Sequence, residues 1–273
     1  IGFMYGQYKR LRDENTGVLT GKGIGWGGSL IRPEATGYGA LYYAEELLKD
    51  FGDTLEGKRI SISGYGNVAW GAAIKATELG AKVVTISGSK GYVLDEEGVN
   101  TKDKWDYMLM MRATNSGDLR GYAEEFGAKF FPLERPWNVP VDIAMPCAYQ
   151  NELNGENAEA LVKNGVKYII ETSNMGCTPE AVETFRKAGI PFAPSKAANA
   201  GGVAVSGLEM SQNSAHLSWS AEEVDQKLRG IMVSIHDACV REGREKDGSI
   251  NYIKGANIAG FKKVADAMCA QGY

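Results

Sequence analysis

The stretch Arg59-Ile60-Ser61-Ile62-Ser63-Gly64-Tyr65-Gly66-Asn67-Val68-Ala69 decides how this chain folds. Its first five residues read as a short strand, and a helical pattern runs from Asn67 to about Leu79. The junction between them has the pattern Gly-x-Gly-x-x-Ala, which permits a tight turn, close approach of backbone to a pyrophosphate, and close packing of helix on strand. A purely structural turn is the alternative interpretation. Because the pattern lies at a strand-to-helix junction, where free N–H groups favour an anion, it indicates a dinucleotide site.

The rest of the chain continues the alternation of strands and helices. Further strands are predicted at 82–87, 142–145, 167–171 and 191–193. Helices are predicted at 102–112, 119–126, 155–164, 179–188, 201–216, 221–242 and 253–269. This order predicts an α/β fold, a doubly wound, Rossmann-like parallel sheet with flanking helices, followed by a helical C-terminal region.

Composition narrows the class of protein. The chain has 273 residues and a formal net charge of −4, so no general attraction to nucleic acid or to an anionic membrane is expected. No apolar run approaches the roughly 18–20 residues that span a bilayer. The four cysteines show no Cys-x-x-Cys spacing, which favours a reducing, cytoplasmic location over a disulfide framework or a zinc site.

The segment after the second predicted strand bears on the choice of dinucleotide. An acidic residue there would bind the ribose 2′-hydroxyl of NAD. The chain instead has Ser89 and Lys90, and its next carboxylate is Asp95. A hydroxyl and an ammonium group suit a 2′-phosphate, so the pattern favours NADP, with Lys90 as a solvated turn residue as the alternative.

Small residues dominate the stretch 193–206, which leads from a predicted strand into a helix. Such residues permit close approach of a ligand, and Asn199 can pair with a carboxamide. A helix-packing face is an equally good interpretation of the composition.

The usual hydrolytic and metal-binding motifs are missing from the sequence. His216 and His236 lie in predicted helices without HExxH or H-x-E partners, so no metal site and no histidine-based triad are expected. Neither G-x-S-x-G nor GxxxxGK[ST] occurs. Any chemistry is therefore expected to be cofactor chemistry.

The N-terminal region predicts a helix, a connection and a second helix. An apolar face within residues 1–11 predicts a helix that begins without a cap, as expected of part of a longer protein. Residues 15–29, with six glycines, predict a long mobile connection. The next helix is expected to enter at Ser29 to Glu34, with Pro33 in its first turn, and to end near Phe51.

Several stretches together resemble the C-terminal half of hexameric bacterial glutamate dehydrogenases. The resemblance covers essentially the whole chain, and its matching stretches are 27–39, 64–70, 146–152, 193–211 and 255–261. It implies a two-domain amino-acid dehydrogenase with a cleft. Residues 1–28 would then end the upstream substrate domain and connect to a dinucleotide-binding domain at 29–216, and helices at 217–273 would pack back toward the substrate domain.

The resemblance also implies roles for individual residues. Ser206 would help to hold the side-chain carboxylate of glutamate, beside Val203. Hydride would pass between the substrate Cα and the nicotinamide, and water would hydrolyse the imino acid to 2-oxoglutarate and ammonia. The residues expected to bind the cofactor are Thr36, Gly64, Tyr65, Gly66, Asn67, Val68, Ser89, Lys90, Ala148, Asn174 and Asn199.

This sequence departs from the family pattern in two ways. The catalytic lysines and the catalytic aspartate of the family have no counterpart here, so no catalytic residue is expected in these 273 residues. Tyr149 stands where relatives usually carry threonine. The coenzyme signals are mixed, because Ser89-Lys90 resembles NADP-preferring relatives whereas Tyr65 resembles NAD-preferring ones; NADP is expected, with NAD or dual use as alternatives.

The resemblance implies a homohexamer for the whole protein, and a monomer or weak dimer for this part alone. Two other functions stay open. One is a leucine- or phenylalanine-type dehydrogenase, which the Ser206 hydroxyl disfavours because an apolar substrate pocket gains nothing from it. The other is a module that binds the dinucleotide and catalyses nothing.

Overall fold

The structure, a computed structural model, describes residues 1–14, 16–114 and 119–273; Asn15, at the start of the predicted connection, lies outside them. The described strands are β1 (Arg59–Ile62), β2 (Lys82–Gly88), β3 (Gly91–Leu94), β4 (Lys129–Pro132), β5 (Ile143–Met145), β6 (Tyr168–Ile170) and β7 (Phe192–Ala193). The described helices are α1 (Gly2–Arg12), α2 (Ala35–Asp50), α3 (Asn67–Glu78), α4 (Lys102–Thr114), α5 (Arg120–Phe126), α6 (Gly155–Lys163), α7 (Pro179–Lys187), α8 (Ser195–Ala198), α9 (Gly201–Ala215), α10 (Ala221–Gly243) and α11 (Tyr252–Gln271).

The strands form one sheet in the order β4-β3-β2-β1-β5-β6-β7. From β1 the chain proceeds outward to β2, β3 and β4, then returns to the other side of β1 for β5, β6 and β7. The strands from β2 to β7 through β1 are parallel, so their carboxyl ends share one edge. The order of strands reverses between β1 and β5, and such a switch point is where ligands bind in open α/β sheets. The predicted Rossmann-like α/β class is confirmed.

The prediction of a wholly parallel sheet is wrong at one edge. β3 runs antiparallel to β2, and β4 runs antiparallel to β3. Ser89 and Lys90 alone connect β2 to β3, and a connection of two residues closes an antiparallel hairpin whereas a parallel pair needs a long crossover. The two added strands are short, and they were not predicted from the sequence.

Both faces of the sheet are covered. One core lies between the sheet and α2, α3 and α10, and the other lies against α6 and α7. The helices α2 and α3 cross closely at Gly37, which permits this approach because it has no side chain. A Cβ at Gly37 would lie 2.2 Å from the Ala72 backbone nitrogen. The C-terminal helices are tied to α2 by two partly buried polar contacts. Asp50 accepts from the Tyr252 hydroxyl at 2.6 Å and pairs with His236 at 2.9 Å. His236 therefore has a packing role.

The prediction for the start of α2 is also wrong. The helix begins at Ala35, after a turn that contains Pro33 and Glu34. Ile31 has φ of +64°, a left-handed conformation that interrupts a helical path. Within residues 1–14, 16–114 and 119–273, no helix combines the length and apolar character that a membrane crossing requires.

Candidate functional site

The glycine loop joins β1 to α3 at the switch point of the sheet. Gly64 has φ of +81°, which glycine adopts without strain, and its N–H donates to the Ser87 hydroxyl at 2.9 Å. Gly66 is the N-cap of α3 and supplies no side-chain cap, and a Cβ built on it meets no atom within 4 Å. The space beside Gly66 at the start of α3 is therefore open, and no side chain caps the first turn of the helix. This arrangement fits a pyrophosphate.

A cavity of about 390 Å³ lies in front of this loop. It contains seven of the predicted cofactor residues, namely Gly64, Tyr65, Gly66, Asn67, Val68, Ser89 and Ala148. The ends of β1, β2 and β5 thus converge on one space, as the motif predicts. Lys90 is not among the residues that line this cavity; it is exposed in the adjoining hairpin turn.

A second cavity of about 520 Å³ continues along the same edge of the sheet and shares Val68 and the segment Cys147–Tyr149 with the first. Its further lining includes Thr36, Asn174, Asn199 and Val203. The side-chain amide of Asn199 donates to the Asn174 carbonyl oxygen at 2.8 Å, although the two residues follow different strands. The two cavities together bring most of the predicted residues into one continuous cleft.

The shared wall at Cys147–Tyr149 is held by Glu152. One carboxylate oxygen of Glu152 accepts from the backbone N–H groups of Ala148 at 2.9 Å and of Tyr149 at 3.3 Å. Burial raises the pKa of Glu152, and these hydrogen bonds act against that rise. Its role is to fix the loop that both cavities share, and this role was not predicted from the sequence.

Ser206 lies outside the lining of both cavities, one turn along α9 from Gly202 in the second cavity. Its hydroxyl donates to the Gly202 carbonyl at 3.1 Å and accepts from Thr20 at 3.2 Å. Val203, three residues earlier on the same helix, is 72% exposed. The contact with Thr20 brings the glycine-rich connection against the predicted substrate residue, which the sequence pattern did not predict.

A buried ion pair anchors the same connection. Lys22 Nζ lies 2.7 Å from Glu209 Oε1, with side chains that are 1% and 0% exposed. The Gly21 and Lys22 backbone N–H groups also donate to this carboxylate, at 2.9 and 3.2 Å. Residues 20–22 of the predicted long, mobile connection at 15–29 are thus attached to α9 by contacts that were not predicted from the sequence.

Another residue that was missed is Arg135. It lines the first cavity beside Ser89 and donates to the Gly88 carbonyl at 3.2 Å. No local motif marks it, because it reaches the cavity only through the antiparallel extension of the sheet. A larger cavity of about 720 Å³ lies among α9, α10 and α11 and contains none of the predicted site residues.

Comparison with known proteins shows the family to which the chain belongs. The family described as Glutamate/Leucine/Phenylalanine/Valine dehydrogenase matches residues 27–272. A NAD-specific glutamate dehydrogenase of Bacteroides fragilis is 59% identical over 273 residues, which are 100% of this chain and 61% of that protein. An NADP-specific glutamate dehydrogenase of Escherichia coli is 54% identical over 272 residues, which are 100% of this chain and 60% of that protein.

Solved structures show the same fold. A glutamate dehydrogenase with 53% sequence identity superposes with a TM-score of 0.97 and covers 100% of this chain and 61% of its own. A hetero-hexameric glutamate dehydrogenase from Thermus thermophilus, in a Leu-bound form, gives a TM-score of 0.84 at 26% identity, with 100% of this chain and 62% of that chain covered. This chain spans about 61% of the length of the relatives it matches. The resemblance seen in the sequence is confirmed, and the chain belongs to the glutamate/leucine/phenylalanine/valine dehydrogenase family.

Proposed function

We propose that this chain is the coenzyme-binding part of a glutamate dehydrogenase that converts L-glutamate and NAD(P) reversibly to 2-oxoglutarate and ammonia. The observation that carries the proposal is the continuous cleft at the carboxyl ends of the strands. It holds the glycine loop at one end and the Asn174–Asn199 pair at the other, with Ser206 one turn farther along α9. This order matches a bound dinucleotide whose pyrophosphate lies at the glycine loop and whose nicotinamide end lies next to the substrate.

Each part of the cleft has a role that its chemistry supports. The N-terminus of α3 binds the pyrophosphate, and Thr36, Asn174 and Asn199 orient the nicotinamide end through hydroxyl and amide groups. The bound nicotinamide supplies the hydride chemistry. When substrate binds, the Ser206 hydroxyl exchanges its hydrogen bond to the Gly202 carbonyl for one to the side-chain carboxylate of glutamate, and Val203 packs beside the carbon chain of the substrate.

The proposal is tested by oxidation of NADPH or NADH that requires both 2-oxoglutarate and ammonium, measured on the full-length protein. We expect turnover with 2-oxoglutarate and little with branched or aromatic oxo acids. The reverse selectivity would move the assignment to a leucine- or phenylalanine-type dehydrogenase.

We place the proton-transferring lysines and aspartate outside these 273 residues. Residues 1–28 are then the end of the substrate domain with its connection, 29–216 the dinucleotide-binding domain, and 217–273 the returning helices. The chain alone should bind NADPH without turning over glutamate, as a monomer or weak dimer, whereas the whole protein forms a cytoplasmic homohexamer. Calorimetry, a turnover assay and sedimentation of the isolated chain test these statements, and robust turnover would contradict the placement of the catalytic groups.

The coenzyme we propose is NADP, with NAD or dual use as the alternatives. Ser89 lines the cavity, and Lys90 follows it in the exposed turn. A 2′-phosphate brings roughly two negative charges to this rim. Replacing Lys90 by Asp removes an attraction, adds repulsion, and offers the ribose 2′-hydroxyl a carboxylate.

We therefore expect Lys90→Asp in the full-length enzyme to lower kcat/KM for NADPH by at least about tenfold, since a charge-assisted contact contributes about 1.5–3 kcal/mol. Activity with NADH should be unchanged or higher. The measurement is kcat/KM for both coenzymes in the wild type and the variant. An unchanged value for NADPH would make Lys90 a solvated turn residue, and Tyr65 would then favour NAD.

A further inference from the structure

The charge of the first cavity is set by one residue. Among the residues that line it, all within the described part of the chain, Arg135 is the only one with an ionised side chain at neutral pH, and none is a carboxylate. A site built for NAD presents an acidic group to the ribose 2′-hydroxyl, whereas an arginine in the same place accommodates a 2′-phosphate. The lining therefore matches a phosphorylated ribose.

Arg135 is held in a defined orientation by two contacts. Its Nη1 donates to the Gly88 carbonyl at 3.2 Å, and its guanidinium carbon lies 5.5 Å from the centre of the Tyr149 ring. Stacking on an aromatic face is characteristic of arginine, and it leaves the other N–H donors of the planar group available. A guanidinium oriented before binding loses less conformational entropy when it binds an anion.

The antiparallel extension of the sheet carries Arg135 to the cavity. β4 ends at Pro132, and the Leu133 N–H then donates to the Lys90 carbonyl at 2.9 Å. The segment from Leu133 to Arg135 is thereby attached to the turn that contains Ser89. A hydroxyl and a guanidinium consequently approach the end of β2 from two different parts of the chain.

We propose that Arg135 is a specificity-determining residue that binds the 2′-phosphate of NADP, together with the Ser89 hydroxyl. The inference rests on the proposed dinucleotide function and assigns its specificity to a residue that the β2 segment does not contain. The guanidinium donates two N–H groups to phosphate oxygens, and Tyr149 supports its opposite face. NAD, which lacks this phosphate, gains nothing from the contact.

The test compares adenosine 2′,5′-bisphosphate with AMP, which differ only in the 2′-phosphate, by calorimetric titration of the protein. We expect Arg135→Gln to raise the Kd of the bisphosphate at least about tenfold, because a charge-assisted contact is lost. The Kd of AMP should change less than about threefold. Arg135→Lys keeps the positive charge but lacks the paired N–H donors of the guanidinium, so the Kd of the bisphosphate should be intermediate. Lys129→Gln, which removes an exposed cation at the far end of β4, is the matched control and should alter neither ligand.

The outcomes separate this inference from the proposed function. Suppose that the wild type binds NADH and NADPH, but Arg135→Gln leaves the affinity for the bisphosphate unchanged or lowers the affinities for both adenosine ligands equally. The assignment of Arg135 is then wrong, and the dinucleotide site stands. If the wild type binds neither NADH nor NADPH, the proposed function itself fails. If Arg135→Gln selectively loses affinity for the bisphosphate and keeps the melting temperature of the wild type, the assignment is supported.

Discussion

Gly66→Val should abolish dinucleotide binding while leaving the fold intact. Gly66 has φ of −78° and ψ of −171°, an extended conformation that valine readily adopts, and a Cβ there meets no protein atom within 4 Å. The added side chain would instead occupy the space in front of the first turn of α3, where the pyrophosphate is expected. We expect the Kd for NADPH and NADH to rise at least about 100-fold, or about 2.7 kcal/mol, because several charge-assisted hydrogen bonds are lost together.

The measurement is a fluorescence titration of both coenzymes, paired with a thermal melt. Gly25→Val is the matched control, since Gly25 lies in the short helical turn Ile24–Trp26, also has open space at its Cβ, and does not line either cavity of the cleft. It should change neither binding nor melting temperature. Unchanged coenzyme binding by Gly66→Val would show that the pyrophosphate does not cross this loop.

Glu209→Leu should produce the largest loss of stability among the single changes considered. It leaves the buried ammonium of Lys22 without its charged partner and removes the acceptor of two backbone N–H groups. Breaking a buried ion pair in this way costs about 3–5 kcal/mol. We expect a loss of that order in the free energy of unfolding, measured by denaturant titration, and faster hydrogen exchange at the amides of Gly21 and Lys22.

Two further variants isolate the cause. The double variant Lys22→Met/Glu209→Leu removes both charges and should recover most of the loss, because apolar residues of similar volume often replace a buried pair without penalty. Lys102→Ala breaks the exposed pair with Asp106 and should cost less than about 1 kcal/mol. If the double variant is as unstable as Glu209→Leu, the cost arises from packing and backbone contacts rather than from an uncompensated charge.

Local pattern predicted the elements of the central sheet well, for a physical reason. Strands covered by helices on both faces must be apolar along their length, so segments such as 82–87 are recognisable without their neighbours. The longer helices were recognisable from their periodicity, whereas the four-residue helix α8 was not predicted. The start of α2 was mispredicted because the left-handed turn at Ile31 depends on how the preceding loop packs, and no residue there marks it in the way that glycine does.

Pairing between distant segments could not be read from the sequence in the same way. β3 and β4 are short, and their antiparallel pairing depends on the hairpin at Ser89–Lys90. Arg135 reaches the cavity only because that pairing returns the chain to the end of β2. The contacts of Lys22 with Glu209 and of Thr20 with Ser206 join residues that are far apart in the sequence.

The sequence by itself determined the class of fold, the glycine loop and the family resemblance, because each depends on local spacing and residue type. Only the tertiary structure decided which polar groups meet in the cleft. It joined Asn174 to Asn199, attached the glycine-rich connection to α9, and brought Arg135 rather than Lys90 into the lining of the first cavity. The reason is that each of these contacts joins residues from separate parts of the chain, which meet only after the strands have paired and the helices have packed against the sheet.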